Sequence, residues 1–308
     1  MTRMQNRIFR SCACCLVAFL FLAGHGAPEA GAREARIVVD FIYSDARDFS
    51  EGLAAVKSGD LWGYIDHTGR AAIPFTHRVP EVGPFAGGFA FAGNVFIDVE
   101  GNIAFEGQSF DQAAPFSEGL AAVQSYGQWG YIDPTGKYVI PPSYEGAGNF
   151  SGGLAPVKRN GLWGFIDTRG RLMIGPRYLR AEAFSGNLAA VEFEGRVGYI
   201  DRSGRFVVQP RYDEGGAFHG GLAPVRGPET WRDWGYIDAR GRESIPRLFN
   251  GAGAFTDGLA PVATDARWGY IDVTGKMAID ATYDGARPFS EGLAAVEREN
   301  KWGYIRIR

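Results

Sequence analysis

Residues 116–149 read FSEGLAAVQSYGQWGYIDPTGKYVIPPSYEGAGN, and this stretch decides the fold because the chain keeps returning to it. Its opening octet, FSEGLAAV, recurs at Phe49 and Phe289. Variants begin at Phe150 (FSGGLAPV), Phe184 (FSGNLAAV), Phe218 (FHGGLAPV) and Phe255 (FTDGLAPV), and a degenerate FAGGFAFA begins at Phe85. Successive phenylalanines lie 36, 31, 34, 34, 34, 37 and 34 residues apart. A sustained period of this length is the mark of a solenoid, a propeller or a related array.

Each unit reads as strands. LAAV and WGYID are short runs of β-branched and aromatic residues bounded by glycine, and nothing sustains helical spacing over three turns. Asp133-Pro134-Thr135-Gly136 is a tight reversal, repeated at Asp66-His67-Thr68-Gly69 and Asp272-Val273-Thr274-Gly275. A unit is therefore a three-stranded antiparallel meander of about 34 residues, with room for a fourth short strand near the Pro-x-Tyr element. Alternation puts Trp129 and Tyr131 on one face and Gly130 and Ile132 on the other. The glycine reads as a place where a bulky side chain of the neighbouring unit comes close.

These residues carry a family resemblance. The chain resembles the WG-repeat (KWG-type) family, whose Trp-Gly pair stands here as Trp62-Gly63, Trp129-Gly130, Trp163-Gly164, Trp234-Gly235, Trp268-Gly269 and Trp302-Gly303. Val197-Gly198 and Asn94-Val95 replace the pair in two units. The resemblance implies a structural motif, a β-repeat scaffold and a binding or interaction role, and brings no catalytic residues with it.

The phase of the ends predicts closure. Residues 37–39, then Tyr43 and Phe49, match the last strand of a unit, as in Val139, Ile140, Tyr144 and Phe150. The chain stops two strands into a unit, at Trp302-Gly303-Tyr304-Ile305. Seven continuous units from Phe49 plus one shared between the ends predict an all-β, propeller-like ring of eight. An open β-solenoid or superhelical array is the other architecture with this period.

Residues 1–32 read as a signal peptide. Arg3, Arg7 and Arg10 precede an apolar run over residues 12–24 that is too short to span a bilayer, and Ala30-Gly31-Ala32 fits cleavage after Ala32. The repeat domain then occupies residues 33–308, without a transmembrane segment. Cys12, Cys14 and Cys15 leave with the signal, as do three arginines and one glutamate, taking the net charge from -3 to -5. The product is an exported, cysteine-free protein of the periplasm or the extracellular space.

Composition agrees with this reading. The 308 residues are 45% hydrophobic and 22% charged, enough apolar material to exclude wholesale disorder. Glycine numbers 44, roughly twice average usage, and marks the turns of the repeat. The mildly acidic balance argues against a nucleic-acid partner.

Chemistry has few candidates. The recurrent aspartates Asp66, Asp133, Asp167, Asp201, Asp238 and Asp272 read as hairpin-turn side chains, one per turn, too few for a calcium shell. His67, His77 and His219 have no metal-binding spacing. The serines Ser50, Ser117, Ser151, Ser185 and Ser290 read as turn residues, with no nucleophile elbow around them. No catalytic, cofactor or metal site is expected, so the chain reads as a non-enzyme. Deviations from the repeat point to contacts instead. Trp231 and Arg232 lie in an insertion at a loop tip and suit a partner or a sugar. Arg177, Arg211 and Arg247 occupy one position in consecutive units and line up as a cationic stripe. The expected function is a non-catalytic interaction scaffold at the cell envelope, binding a protein or peptide. A glycan-binding module is second, and a propeller-type enzyme third.

Overall fold

The computed structural model describes residues 34–228 and 234–307. The signal-peptide expectation, and with it Cys12, Cys14 and Cys15, lies outside the described residues, as do Trp231 and Arg232. Among the described residues every regular element is a strand. In unit 1 the order is β2 (Asp45–Ala46), β3 (Leu53–Ser58), β4 (Leu61–Asp66) and β5 (Ala71–His77), each antiparallel to the next. The predicted meander is thus joined by a two-residue fourth strand, placed directly after the Pro-x-Tyr element of the preceding unit.

Closure is explicit. The first strand, β1 (Ala35–Tyr43), pairs antiparallel with Lys301–Ile307 and completes the sheet begun by Gly285–Ala286. An open array would leave these segments apart, so the solenoid alternative is set aside. The expectation of a ring of eight blades needs correction: the ring has seven four-stranded blades, and unit 2 is reduced to the hairpin Phe89–Ala92 with Val95–Asp98. Single bridges, Val82 to Ala92 and Ile97 to Ile103, stand where its inner and outer strands would be. The cause is local. The 31-residue interval after Phe85 is too short for a full outer strand, and Phe96, Phe105 and Phe110 fill the space with Phe116 from unit 3.

The ring's cores lie between blades. Tyr131 and Ile140 of unit 3 pack with Phe150, Val157 and Ile166 of unit 4, whereas Ile132, the other face of the same strand, packs towards unit 2. The period-2 alternation of WGYID thus serves two interfaces from one strand. The closing interface uses the same parts, with Tyr43, Leu293 and Tyr304 of unit 8 against Phe49, Val56 and Ile65 of unit 1.

Polar contacts repeat with the same register. The motif tyrosine donates its hydroxyl to a carbonyl of the next unit: Tyr64 to Gly83 at 2.8 Å, Tyr131 to Gly148 at 2.9 Å and Tyr236 to Gly253 at 2.9 Å. Burial holds these hydroxyls well above the usual phenol range, so they remain donors. Each ring also meets the next unit's repeat phenylalanine, as Tyr131 meets Phe150 at 4.7 Å. The turn serines act between units as well. Ser50 donates to the Phe85 carbonyl at 2.6 Å and Ser117 to that of Phe150 at 2.7 Å.

The motif glycine has a different reason from the expected one. Trp129 pairs with Tyr144 and Tyr131 with Ile140, so three outer-strand residues bulge opposite Gly130 alone. A Cβ on Gly130 would lie 2.5 Å from the Ile140 carbonyl oxygen and 2.7 Å from the Pro142 nitrogen. The close approach is therefore by backbone of the same unit, not by a neighbour's side chain. Proline suits the bulge because it has no N–H to satisfy there.

Candidate functional site

Residues in or directly after the short strands of units 8, 1 and 3 line one cavity, so these strands form the inner edge of the ring. The residue two before each repeat phenylalanine sits at this edge: Arg47, Gly83, Ala114, Gly148, Glu182, Gly216, Gly253 and Arg287 in ring order. Five of the eight are glycine or alanine. The three charged exceptions mark where the ring can present chemistry, and two of them, Arg47 and Arg287, are neighbours.

Those two arginines are held alike. Arg47 lies over the Trp62 ring at 5.4 Å, and Arg287 over the Trp302 ring at 5.2 Å. Asp45 sits 3.5 Å from both guanidiniums, and Glu81 takes Arg47 at 2.9 Å. Asp48 is half-buried beside them; burial raises its carboxyl above the usual range, and Arg287 and Arg47 pull it back. Arg47 Nε, Arg287 Nε and Asp48 Oδ1 are buried without a hydrogen-bond partner.

These side chains wall a cavity of about 900 Å³ that reaches unit 2 through Glu81, Gly83, Phe91 and Gly93 and unit 3 through Asp111 and Pro115. Unit 2 is one of the two units without the motif tryptophan. The other is unit 5, where Val197 lines a second recess of about 610 Å³ between Trp163 and Trp234 of its neighbours. In intact units the indole covers the inner strand: a Cβ on Gly251 would lie 2.9 Å from the Trp268 ring, and one on Gly146 3.0 Å from that of Trp163. Where the indole is missing, the wall stays open.

The unit 5 recess is acidic. Glu182, Glu192, Asp213 and Glu214 line it with Arg180 and His219. Burial raises the Glu182 carboxyl, opposed by Arg180 and by a backbone hydrogen bond from Ala217. Asp213 is ion-paired with Arg196, and Glu214 with Arg226 at 2.5 Å.

The arginines singled out in the sequence make different contacts. Arg177 covers the Tyr178 ring at 5.0 Å and donates to the Gly204 carbonyl of the next unit. Arg211 does the same with Tyr212 at 5.0 Å and Gly241 at 2.6 Å. Arg247 pairs instead with Glu243 at 3.1 Å, and shares with Arg211 a shallow recess of about 290 Å³. Two of the three thus clip adjacent units.

The turn aspartates bind their own turns. Asp133 Oδ1 accepts from Thr135 N at 2.8 Å, Thr135 Oγ1 at 2.6 Å and Lys137 N at 3.2 Å, and these bonds hold its carboxyl below the usual range. Among the described residues, no group of three or more His, Cys, Asp and Glu is placed to hold a metal. No helix among them is long and apolar enough to cross a membrane.

Sequence reasoning missed Arg47, Arg287, Asp48 and Glu182. The signal was available: comparing the inner-edge position across units shows where glycine and alanine give way to charge.

No curated protein matches the sequence. Among solved structures, the fold is similar to that in a crystal structure of the eukaryotic initiation factor, at 12% identity over 83% of this chain and 82% of that one, with a TM-score of 0.57. Lower scores link it to PorZ, a bacterial surface component of the type-IX secretion system of Porphyromonas gingivalis (9% identity, 88% and 46% coverage, TM-score 0.45). The extracellular domain of a putative one-component system from B. thetaiotaomicron is comparable (9% identity, 88% and 43%, TM-score 0.48). This chain spans less than half the length of those last two. The WG containing repeat matches at residues 33–62, 62–93, 96–128, 129–163, 163–196, 198–226, 234–266 and 268–302, in step with the blades. With nearly the whole ring accounted for by these copies, the chain belongs to the WG containing repeat family.

Proposed function

We propose that this protein is a non-catalytic binding scaffold, exported to the periplasm or beyond, that holds a protein or peptide partner at the inner edge of its ring. The observation that carries this reading is the cluster of Arg47, Arg287 and Asp48 on the 900 Å³ cavity, with three buried polar atoms left unpaired. Buried polar groups normally have partners, and an unpaired one costs about 1–3 kcal/mol. A repeat that needs only glycine at this position for folding has no structural use for such a cost. Export is supported by the positive, apolar and small-residue segments over residues 1–32.

The test is affinity capture from an envelope extract with the wild-type chain and the Arg47→Ala/Arg287→Ala double variant in parallel. Partners held by the wild type and lost by a folded double variant are the expected result; an identical set of partners would remove this cavity from the reading. N-terminal sequencing of the protein recovered from its own cells should begin at Arg33. A start well before Ala32 would overturn the export reading.

A further inference from the structure

The second recess, at unit 5, has a chemistry of its own. Val197 stands where six other units carry tryptophan, and the space opened by this loss is flanked by the half-buried Trp163 and Trp234. The protein itself shows what a motif indole accepts. In units 1 and 8 the inner-edge arginine of the same unit lies over it, Arg47 on Trp62 and Arg287 on Trp302. Units 4 and 6 have glycine at that position, Gly148 and Gly216, and supply no side chain from it.

The charges favour a cation. Four carboxylates line the recess against Arg180. Arg196 takes Asp213 and Arg226 takes Glu214, which leaves Glu182 and Glu192 with Arg180 between them. With His219 neutral, four carboxylates against Arg180, Arg196 and Arg226 leave one negative charge uncompensated, beside a partly buried Glu182. A cation that pairs with a carboxylate and lies on an aromatic face gains from both contacts, and a partly dehydrated site strengthens each.

We propose that the unit 5 recess binds the guanidinium or ammonium group of a basic side chain in a partner polypeptide. Glu182 is its counter-charge, and the flanking indoles of Trp163 and Trp234 are its walls. This recess is separate from the one bounded by Arg47 and Arg287, so the two proposals stand or fall independently.

The experiment is calorimetric titration of the full chain with acetyl-Gly-Arg-Gly-amide and with the same peptide carrying citrulline, which keeps the shape and loses the charge. The arginine peptide is expected to bind at least about tenfold more tightly, a difference of about 1.4 kcal/mol. Glu182→Gln is expected to weaken the arginine peptide by a similar factor. Val197→Trp restores the repeat's own indole, fills the recess and should abolish binding while the thermal unfolding curve stays cooperative. If that variant fails to fold, Glu182→Gln alone decides. Glu106→Gln, at an exposed carboxylate outside both recesses, should leave binding unchanged, which assigns the event to unit 5. Equal binding of the two peptides, no heat at the solubility limit, or a Glu182→Gln variant indistinguishable from wild type would each overturn the proposal.

Discussion

Tyr304 donates its hydroxyl to the carbonyl oxygen of Arg47 at 2.7 Å, across 257 residues of sequence, and its ring meets that of Phe49 at 4.9 Å. The same pair of contacts joins Tyr64 to Gly83 and Phe85 in the first interface. Ring closure therefore uses the ordinary interface of the repeat, and Ser290 adds its bond to the Phe49 carbonyl at 2.6 Å. No special latch is required beyond the pairing of β1.

Removing that hydroxyl tests how much the closing bond contributes. Tyr304→Phe should lower stability by about 1 kcal/mol, the usual net worth of one such bond, read as a lower urea midpoint. Unit 4 provides the converse, because Phe165 stands where six other units have tyrosine. Phe165→Tyr places a hydroxyl towards the Glu182 carbonyl and should raise the midpoint by a comparable amount.

The motif glycine should resist even the smallest substitution. Gly130→Ala drives a Cβ into the Ile140 carbonyl and the Pro142 nitrogen, both backbone atoms, so the outer strand must move. The expected loss is about 2–4 kcal/mol, in the range of overpacking or strand disruption. Gly175→Ala, on the outer strand of unit 4, meets nothing within 4 Å and serves as the control. It should change stability by less than about 0.5 kcal/mol. Equal losses in the two variants would contradict the bulge explanation.

The phenylalanine cluster of unit 2 should prove structural. Phe96 is buried, and its ring lies 5.3 to 5.9 Å from those of Phe91, Phe105, Phe110 and Phe116. Phe96→Ala should cost about 3–5 kcal/mol, measured by denaturant unfolding. Hydrogen exchange should show the loss first in the hairpin Phe89–Ala92 with Val95–Asp98.

The turn aspartates set the acid limb of stability. Hydrogen bonds from Ser203 Oγ, Arg205 N and Ser203 N lower the Asp201 carboxyl from its ordinary 3.8 to about 2. A carboxyl depressed in the folded state stabilises above its unfolded value, and that contribution fades as pH falls through the folded one. Asp66, Asp133 and Asp272 shift the same way, led in each by a threonine side-chain bond. Melting temperature should therefore decline from just below pH 4 towards pH 2. Asp201→Asn should show a shallower decline over that window, followed by circular dichroism at a series of pH values.

The repeat made most of the architecture legible in advance. Strand positions, the Asp-x-x-Gly reversals, the two faces of WGYID and the complementary ends all follow from local pattern and period, which are properties of the chain alone. Phase could predict closure because residues 37–39 and Trp302-Gly303-Tyr304-Ile305 supply complementary parts of one unit. What the pattern missed were features created by approach in space. The reason for Gly130 is a backbone bulge from its own unit, and the serines reach the next blade. Arg177 and Arg211 spend their charge on neighbouring turns.

The candidate sites belong wholly to that second category. In sequence, Arg47 and Arg287 are 240 positions apart and Val197 is an unremarkable substitution. Only the closed ring brings the two arginines to the ends of adjacent inner strands and turns a missing indole into a recess. The order of the strands was determined by side-chain period and turn chemistry. Which charges face one another was decided by bending the repeats around a common axis.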